Sequence, residues 1–144
     1  MLLNIEPYKS IGPILLSMTK ENVRDVIKCN FEHQEKSKIS GIEIDAKDYF
    51  SDFGIMVHYN KCGNVCFVEV DNLSNVVFKD VTLFDQSFDI IKKWFMELDD
   101  KIMMQDAGFT SLKFGISFFS PDHLEYPTRP PELISIFEKN YYEN

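Results

Sequence analysis

Asp52-Phe-Gly-Ile-Met-Val-His-Tyr59, the turn Asn60-Lys-Cys-Gly63 and the return stretch Asn64-Val-Cys-Phe-Val-Glu-Val70 decide how the chain folds. Phe53, Ile55, Val57 and Tyr59 alternate with Gly54, Met56 and His58, a period of two that predicts a half-buried strand. Gly63 is free to take positive φ in the turn, and the return stretch is rich in β-branched and aromatic residues. Together they predict a β-hairpin.

The same pattern recurs sixty-one positions later. Lys113-Phe-Gly-Ile-Ser-Phe-Phe-Ser120 repeats Phe-Gly-Ile, and a further strand, Leu133-Ile-Ser-Ile-Phe137, follows a Pro-rich loop from Pro121 to Pro131. Phe109-Thr-Ser-Leu112 reads as another strand. A helix precedes each copy. The first signal is Leu15-Leu-Ser-Met-Thr-Lys-Glu-Asn-Val-Arg-Asp-Val-Ile27, with Thr19 as N-cap, Met18 and Val23 as a hydrophobic staple, and Val23, Val26 and Ile27 as its apolar stripe. The second runs from a cap at Asp85 to about Leu98, with Phe88, Ile91, Phe95 and Leu98 on one face. The polar stretch 31–41 reads as a helix end and loop.

These elements predict one α+β domain over residues 1–144, with pseudo-repeats at about 11–71 and 80–138. Two helix–strand–strand–strand units side by side give a single antiparallel sheet with both helices packed on one face. Ile55, Val57, Ile116 and Phe118, with Phe53 and Phe114, then point toward the helices. Met56, His58, Ser117 and Phe119 point the other way, onto a mixed face that meets either solvent or a partner.

Composition narrows the function. The chain has 144 residues, 44% of them hydrophobic and 14% aromatic, which excludes a disordered acidic tail. Twenty-three Asp and Glu against fifteen Lys and Arg leave a net charge of -8. A phosphate backbone needs a positive footprint, so nucleic acid is not expected as a direct ligand. The N-terminus lacks a basic segment followed by a long apolar one, and charges interrupt every hydrophobic run. A soluble cytoplasmic protein without a membrane partner is therefore expected.

The residues that could carry chemistry are dispersed. His33, His58 and His123 have no His-x-x-x-His pairing; His33 and His123 are expected in surface loops and His58 on the sheet face. Cys29, Cys62 and Cys66 match no zinc spacing, and no glycine-rich phosphate loop is present. No catalytic residue, cofactor or metal is expected. Two acidic clusters stand out instead. Glu43, Asp45, Asp48 and Asp52 face Lys47 in sequence, and Glu97, Asp99, Asp100 and Asp106 face Lys101. Each lies between a helix and a Phe-Gly-Ile strand, so the repeat places them at related ends of the sheet. They read either as solvated loop charge or as a docking surface that steers a basic partner. Calcium is a lesser reading, because the spacing departs from an EF-hand loop.

The stretch Ile11-Gly-Pro-Ile-Leu-Leu-Ser-Met-Thr-Lys-Glu-Asn-Val-Arg-Asp-Val-Ile27 resembles the opening of small bacterial domains similar to the β-lactamase-inhibitor-protein and outer-membrane-assembly lipoprotein folds. Asp106-Ala-Gly-Phe-Thr-Ser111, Phe114-Gly-Ile-Ser-Phe-Phe-Ser-Pro-Asp122 and Ile134-Ser-Ile-Phe-Glu-Lys-Asn-Tyr-Tyr142 are similar to small cytoplasmic proteins encoded beside polymorphic toxins. The resemblance implies an immunity protein that binds and neutralises a cognate toxin domain of a contact-dependent growth-inhibition system. Such toxins are frequently nucleases with basic surfaces. The alternative is a non-enzymatic assembly adaptor acting on another protein. Under either reading the expected contact residues are the eight carboxylates above and exposed aromatics such as Tyr126, Tyr141 and Tyr142.

Overall fold

The computed structural model describes residues 1–143; Asn144 lies outside the described residues. β1 (Leu2–Glu6), β2 (Ser10–Ile11) and β3 (Ile14–Leu15) lead into α1 (Lys20–Ile27). β4 (Glu32–Gln34), β5 (Ser37–Ile39), β6 (Ile42–Ile44), β7 (Ala46–Phe50), β8 (Ile55–Tyr59) and β9 (Val65–Val70) follow. β10 (Asn75–Phe78) and β11 (Val81–Thr82) precede α2 (Phe88–Leu98), and β12 (Met103–Gln105), β13 (Gly108–Ser111), β14 (Ile116–Phe119) and β15 (Leu133–Phe137) complete the order.

The strands form three sheets, which corrects the expectation of a single antiparallel one. Eight strands pair antiparallel in the order β12-β13-β14-β15-β9-β8-β7-β4. Five more form a mixed sheet, β11-β10-β1-β2-β3, in which β1 and β10 run parallel, and β5-β6 is a separate hairpin. The small mixed sheet joins residues more than seventy positions apart, Leu3 with Val76 for instance. Parallel pairing leaves no connecting turn to signal it. Stretch 31–41, expected as a helix end and loop, holds β4 and most of the β5-β6 hairpin.

The large sheet has two halves with the same element order: α1 before β7-β8-β9, and α2 before β13-β14-β15. Their last strands, β9 and β15, meet at its centre. Gly54 (φ +62°) and Gly115 (φ +68°) close the turns before β8 and β14, so Phe53 and Phe114 sit in those turns and not in the strands. A Cβ on Gly54 falls 1.8 Å from Asp71 Oδ1, an atom that already accepts the Leu73 N–H. Left-handed backbone strain adds to this clash. Gly54→Ala is expected to destabilise the chain by about 2 kcal/mol, as a lower urea midpoint with an unchanged slope.

Two register rows carry the core across six strands. Phe50, Ile55, Val70, Ile134, Phe118 and Phe109 are successive cross-strand partners, and so are Asp48, Val57, Val68, Ile136, Ile116 and Ser111; all are buried. Both helices lie over this face. Arg24 of α1 bonds Asp48, and Phe88 and Phe95 of α2 pack on Phe109. Phe95 also stacks on Phe78 of β10 at 5.5 Å, which ties the small sheet to the same core.

Thr19 caps α1 as expected, its hydroxyl accepting the Asn22 N–H. The cap of α2 is Ser87 and not Asp85. The first N–H groups of α2, on Phe88 and Asp89, donate to the carbonyls of Arg129 and Pro127. The Pro-rich loop thus satisfies donors that a capping side chain would otherwise take.

Candidate functional site

Residues on the reverse face of the large sheet alternate with the core rows. One row runs Tyr49, Met56, Glu69, Ser135, Ser117 and Thr110; the next contains Lys47, His58, Phe67 and Phe137. Met56, His58 and Ser117 are half-buried and Phe119 is exposed, on the side expected for them. The C-terminal segment folds back over part of this face. Tyr141 packs on Phe67 at 5.0 Å, Tyr142 packs on Phe137 at 4.9 Å, and the Tyr142 side chain hydrogen-bonds Ser117.

At one end of the face lies an open groove of about 760 Å³ lined by Glu43, Asp45, Lys61, Cys66, Glu138 and Tyr141, among others. Three connections assemble it. Asp45 joins β6 to β7, Cys66 sits on β9, and the Glu138 N–H donates to the Cys66 carbonyl where β15 ends. Glu43 reaches Lys61 at 3.3 Å, but both groups are largely in water and gain little from it. Among the described residues Asp45 accepts only the weak Cys66 S–H donor, at 3.7 Å. No ion pair reaches Asp45 or Glu138 among the described residues.

The groove is consequently over-supplied with negative charge. Burial, then the Asp45 charge, holds the Glu138 carboxyl above its ordinary value. Burial pushes the Cys66 thiol up to about 12, with Asp45 and Glu138 adding to it. Tyr141 is likewise pushed up to about 12 by burial and by its anionic neighbours. All three groups resist ionisation more than they would in water, chiefly through burial, and the Asp45 and Glu138 charges would attract a cation placed beside them. Tyr141 adds an aromatic wall suited to an ammonium or guanidinium.

The sequence-expected carboxylates separate into three environments. Asp48 is fully buried: Arg24 donates to both its oxygens at 2.9 and 3.0 Å, Tyr59 donates at 2.8 Å, and His33 Nδ1 lies at 2.7 Å. His33 Nε2 also reaches Glu35 at 3.0 Å. This network fastens α1 to β4, β7 and β8. Asp99 is buried at the end of α2, accepting from the Ser111 hydroxyl at 2.8 Å and the Lys101 N–H at 2.9 Å. Neither carboxylate is offered to a partner. Asp52, Glu97, Asp100 and Asp106 are exposed but do not converge. Asp45 and Asp52 flank opposite ends of β7, which spans about 14 Å at strand rise, and Asp99 and Asp106 lie by opposite ends of β13, which spans about 10 Å. The expected clusters are therefore split, and Glu43 and Asp45 alone of the eight line the groove.

Tyr126 is exposed in the Pro-rich loop with the Arg129 guanidinium 3.6 Å over its ring. His33 lies on β4 and not in a loop, whereas His123 is in the Pro-rich loop as expected but buried there and not at the surface. His33 belongs to the Asp48 network, and buried His123 bonds the Asp106 carbonyl at 3.0 Å and packs on Phe88. His58 lies 3.6 Å from Glu69 on the reverse face.

Sequence reasoning missed Glu138 and Cys66 as groove residues. Only the β9–β15 pairing joins them, across some seventy residues, and no local pattern announces it. Among the described residues no group of three or more His, Cys, Asp or Glu is placed to hold a metal ion. No helix of the structure is long and apolar enough to cross a membrane. Comparison with family models, curated proteins and solved structures finds no match to this chain.

Proposed function

We propose that this chain is an acidic binding protein that neutralises a basic toxin domain by direct contact, the immunity function within a contact-dependent growth-inhibition pair. The carrying observation is the groove in which Asp45 and Glu138 lie together with no ion pair to either among the described residues, at the edge of the sheet face opposite α1 and α2. A lysine or arginine of the partner supplies the missing charge. The partner's basic surface is then occupied by protein in place of nucleic acid. A stable inhibitor complex buries about 1,200–2,000 Å², so the groove is one anchor within a larger contact over the adjoining face.

The raised Glu138 carboxyl supplies a test that separates binding from folding. Its folded state takes up a proton more readily than the unfolded chain, so its charge opposes folding at neutral pH; this cost begins to fall as pH drops to the raised value and is gone below the ordinary one. Neutralising the pair with Asp45→Asn and Glu138→Gln is expected to raise the melting temperature of the free chain slightly. The same change is expected to weaken binding to a basic toxin domain from the adjacent gene's product about tenfold and to flatten its salt dependence. Calorimetric titration at two salt concentrations measures both. A purely structural pair would move stability and affinity in the same direction.

A further inference from the structure

The β5-β6 hairpin forms a sheet of its own, and its tip is apolar. Ile39 and Ile42 are direct cross-strand partners, so their side chains project from the same side, and they remain 60% and 69% exposed. Between them Ser40 (φ +52°) and Gly41 (φ +83°) form a two-residue turn with both residues left-handed, a geometry that matches strand twist and fixes the tip. A turn of this kind needs only polar residues around it, and a lone two-stranded hairpin is marginally stable in water. The isoleucines add nothing to the buried core, yet they form one contiguous apolar knob.

The knob and the acidic groove share a strand. Glu43 follows Ile42 directly on β6, and Asp45 follows Ile44. Between Glu32 and Asp45 there are four carboxylates against two lysines. Lys36, Lys38 and Lys61 stand beside Glu43 and Asp45 at the base of the hairpin, so it is the overall charge of -8 that opposes docking on an anionic lipid surface or on a second copy of this chain.

We infer that the Ile39–Ile42 tip is an insertion element, seating in an apolar socket of the basic protein whose cation enters the neighbouring groove. This deepens the proposed function and rests on it. The tip supplies desolvated contact area, and the groove supplies orientation and association rate.

The test uses as its probe the purified C-terminal domain of the protein encoded by the adjacent gene, titrated with the wild-type chain, with Ile39→Ser/Ile42→Ser and with Ile39→Val/Ile42→Val. The serine pair is expected to weaken binding about thirtyfold or more while leaving the melting temperature nearly unchanged, because both residues are exposed. The valine pair is expected to bind within about threefold of wild type. Wild-type affinity in the serine pair overturns the insertion element and leaves the toxin reading standing. Absence of wild-type binding overturns the toxin reading and this inference together. Wild-type self-association abolished by the serine pair, or wild-type binding to phosphatidylglycerol vesicles, also overturns the inference by assigning the tip a different occupant.

Discussion

Asp48→Ala is expected to cost about 3–5 kcal/mol of folding stability, because it leaves the Arg24 guanidinium, the Tyr59 hydroxyl and the His33 ring facing an empty position. Asp48 is fully buried and bonded to all three. Equilibrium urea unfolding measures the loss, and a cost below about 1 kcal/mol would show that the network is dispensable. Replacing Asp48 and Arg24 together with apolar residues is expected to cost less than Asp48→Ala alone, since no charge is then stranded. The same carboxyl sets an acid limit. Burial alone would raise its pKa, but the bonds from Arg24, His33 and Tyr59 outweigh burial and hold it below the usual carboxylate range. Its stabilising contribution is thus complete above about pH 4 and is lost as pH falls through the depressed folded value. An urea midpoint that stays level from pH 5 down to pH 2 would contradict this.

Phe95→Ala is expected to cost a comparable 3–5 kcal/mol through the cavity it leaves. The ring is fully buried and meets Phe78 of β10, Phe109 of β13 and Phe118 of β14. It therefore links α2 to both the small mixed sheet and the large sheet. The account predicts more than a lower melting temperature: amides of β1 and β10 should gain hydrogen exchange along with those of β13 and β14. Loss of protection confined to α2 and the large sheet would mean that the small sheet is held independently. Phe95→Leu, which retains most of the apolar volume, should recover a large part of the loss.

These two residues also show how far the sequence could be read. Phe95 was legible, because its spacing with Phe88, Ile91 and Leu98 marks a buried helix face without knowledge of what covers it. The Asn60–Gly63 turn placed the β8-β9 hairpin, and the alternation after each Phe-Gly pair sorted Ile55, Val57, Ile116 and Phe118 from Met56, His58, Ser117 and Phe119. The pairing of Leu3 with Val76 was not legible, since parallel strands joined through most of a domain leave no turn signature. Asp48 misled for a related reason. Lys47, Asp48 and Asp52 look like loop charge in sequence, yet alternation along β7 turns Asp48 inward, where Arg24 from a helix twenty-four residues earlier meets it. The groove inverts the lesson. Its charge was legible as a regional excess, but Glu138 joins Asp45 only through the meeting of β9 and β15, and the clusters read from the sequence came apart along the strands.

Co-expression in growing cells tests the central claim most directly. The product of the gene adjacent to this chain's own is induced together with the wild-type chain or with a chain carrying Asp45→Lys, Glu138→Lys, Ile39→Ser and Ile42→Ser. Growth rescued by the wild type and lost with the folded variant is the expected result. Cells that die equally in both cases, with no complex recovered from the wild-type culture, would contradict the account.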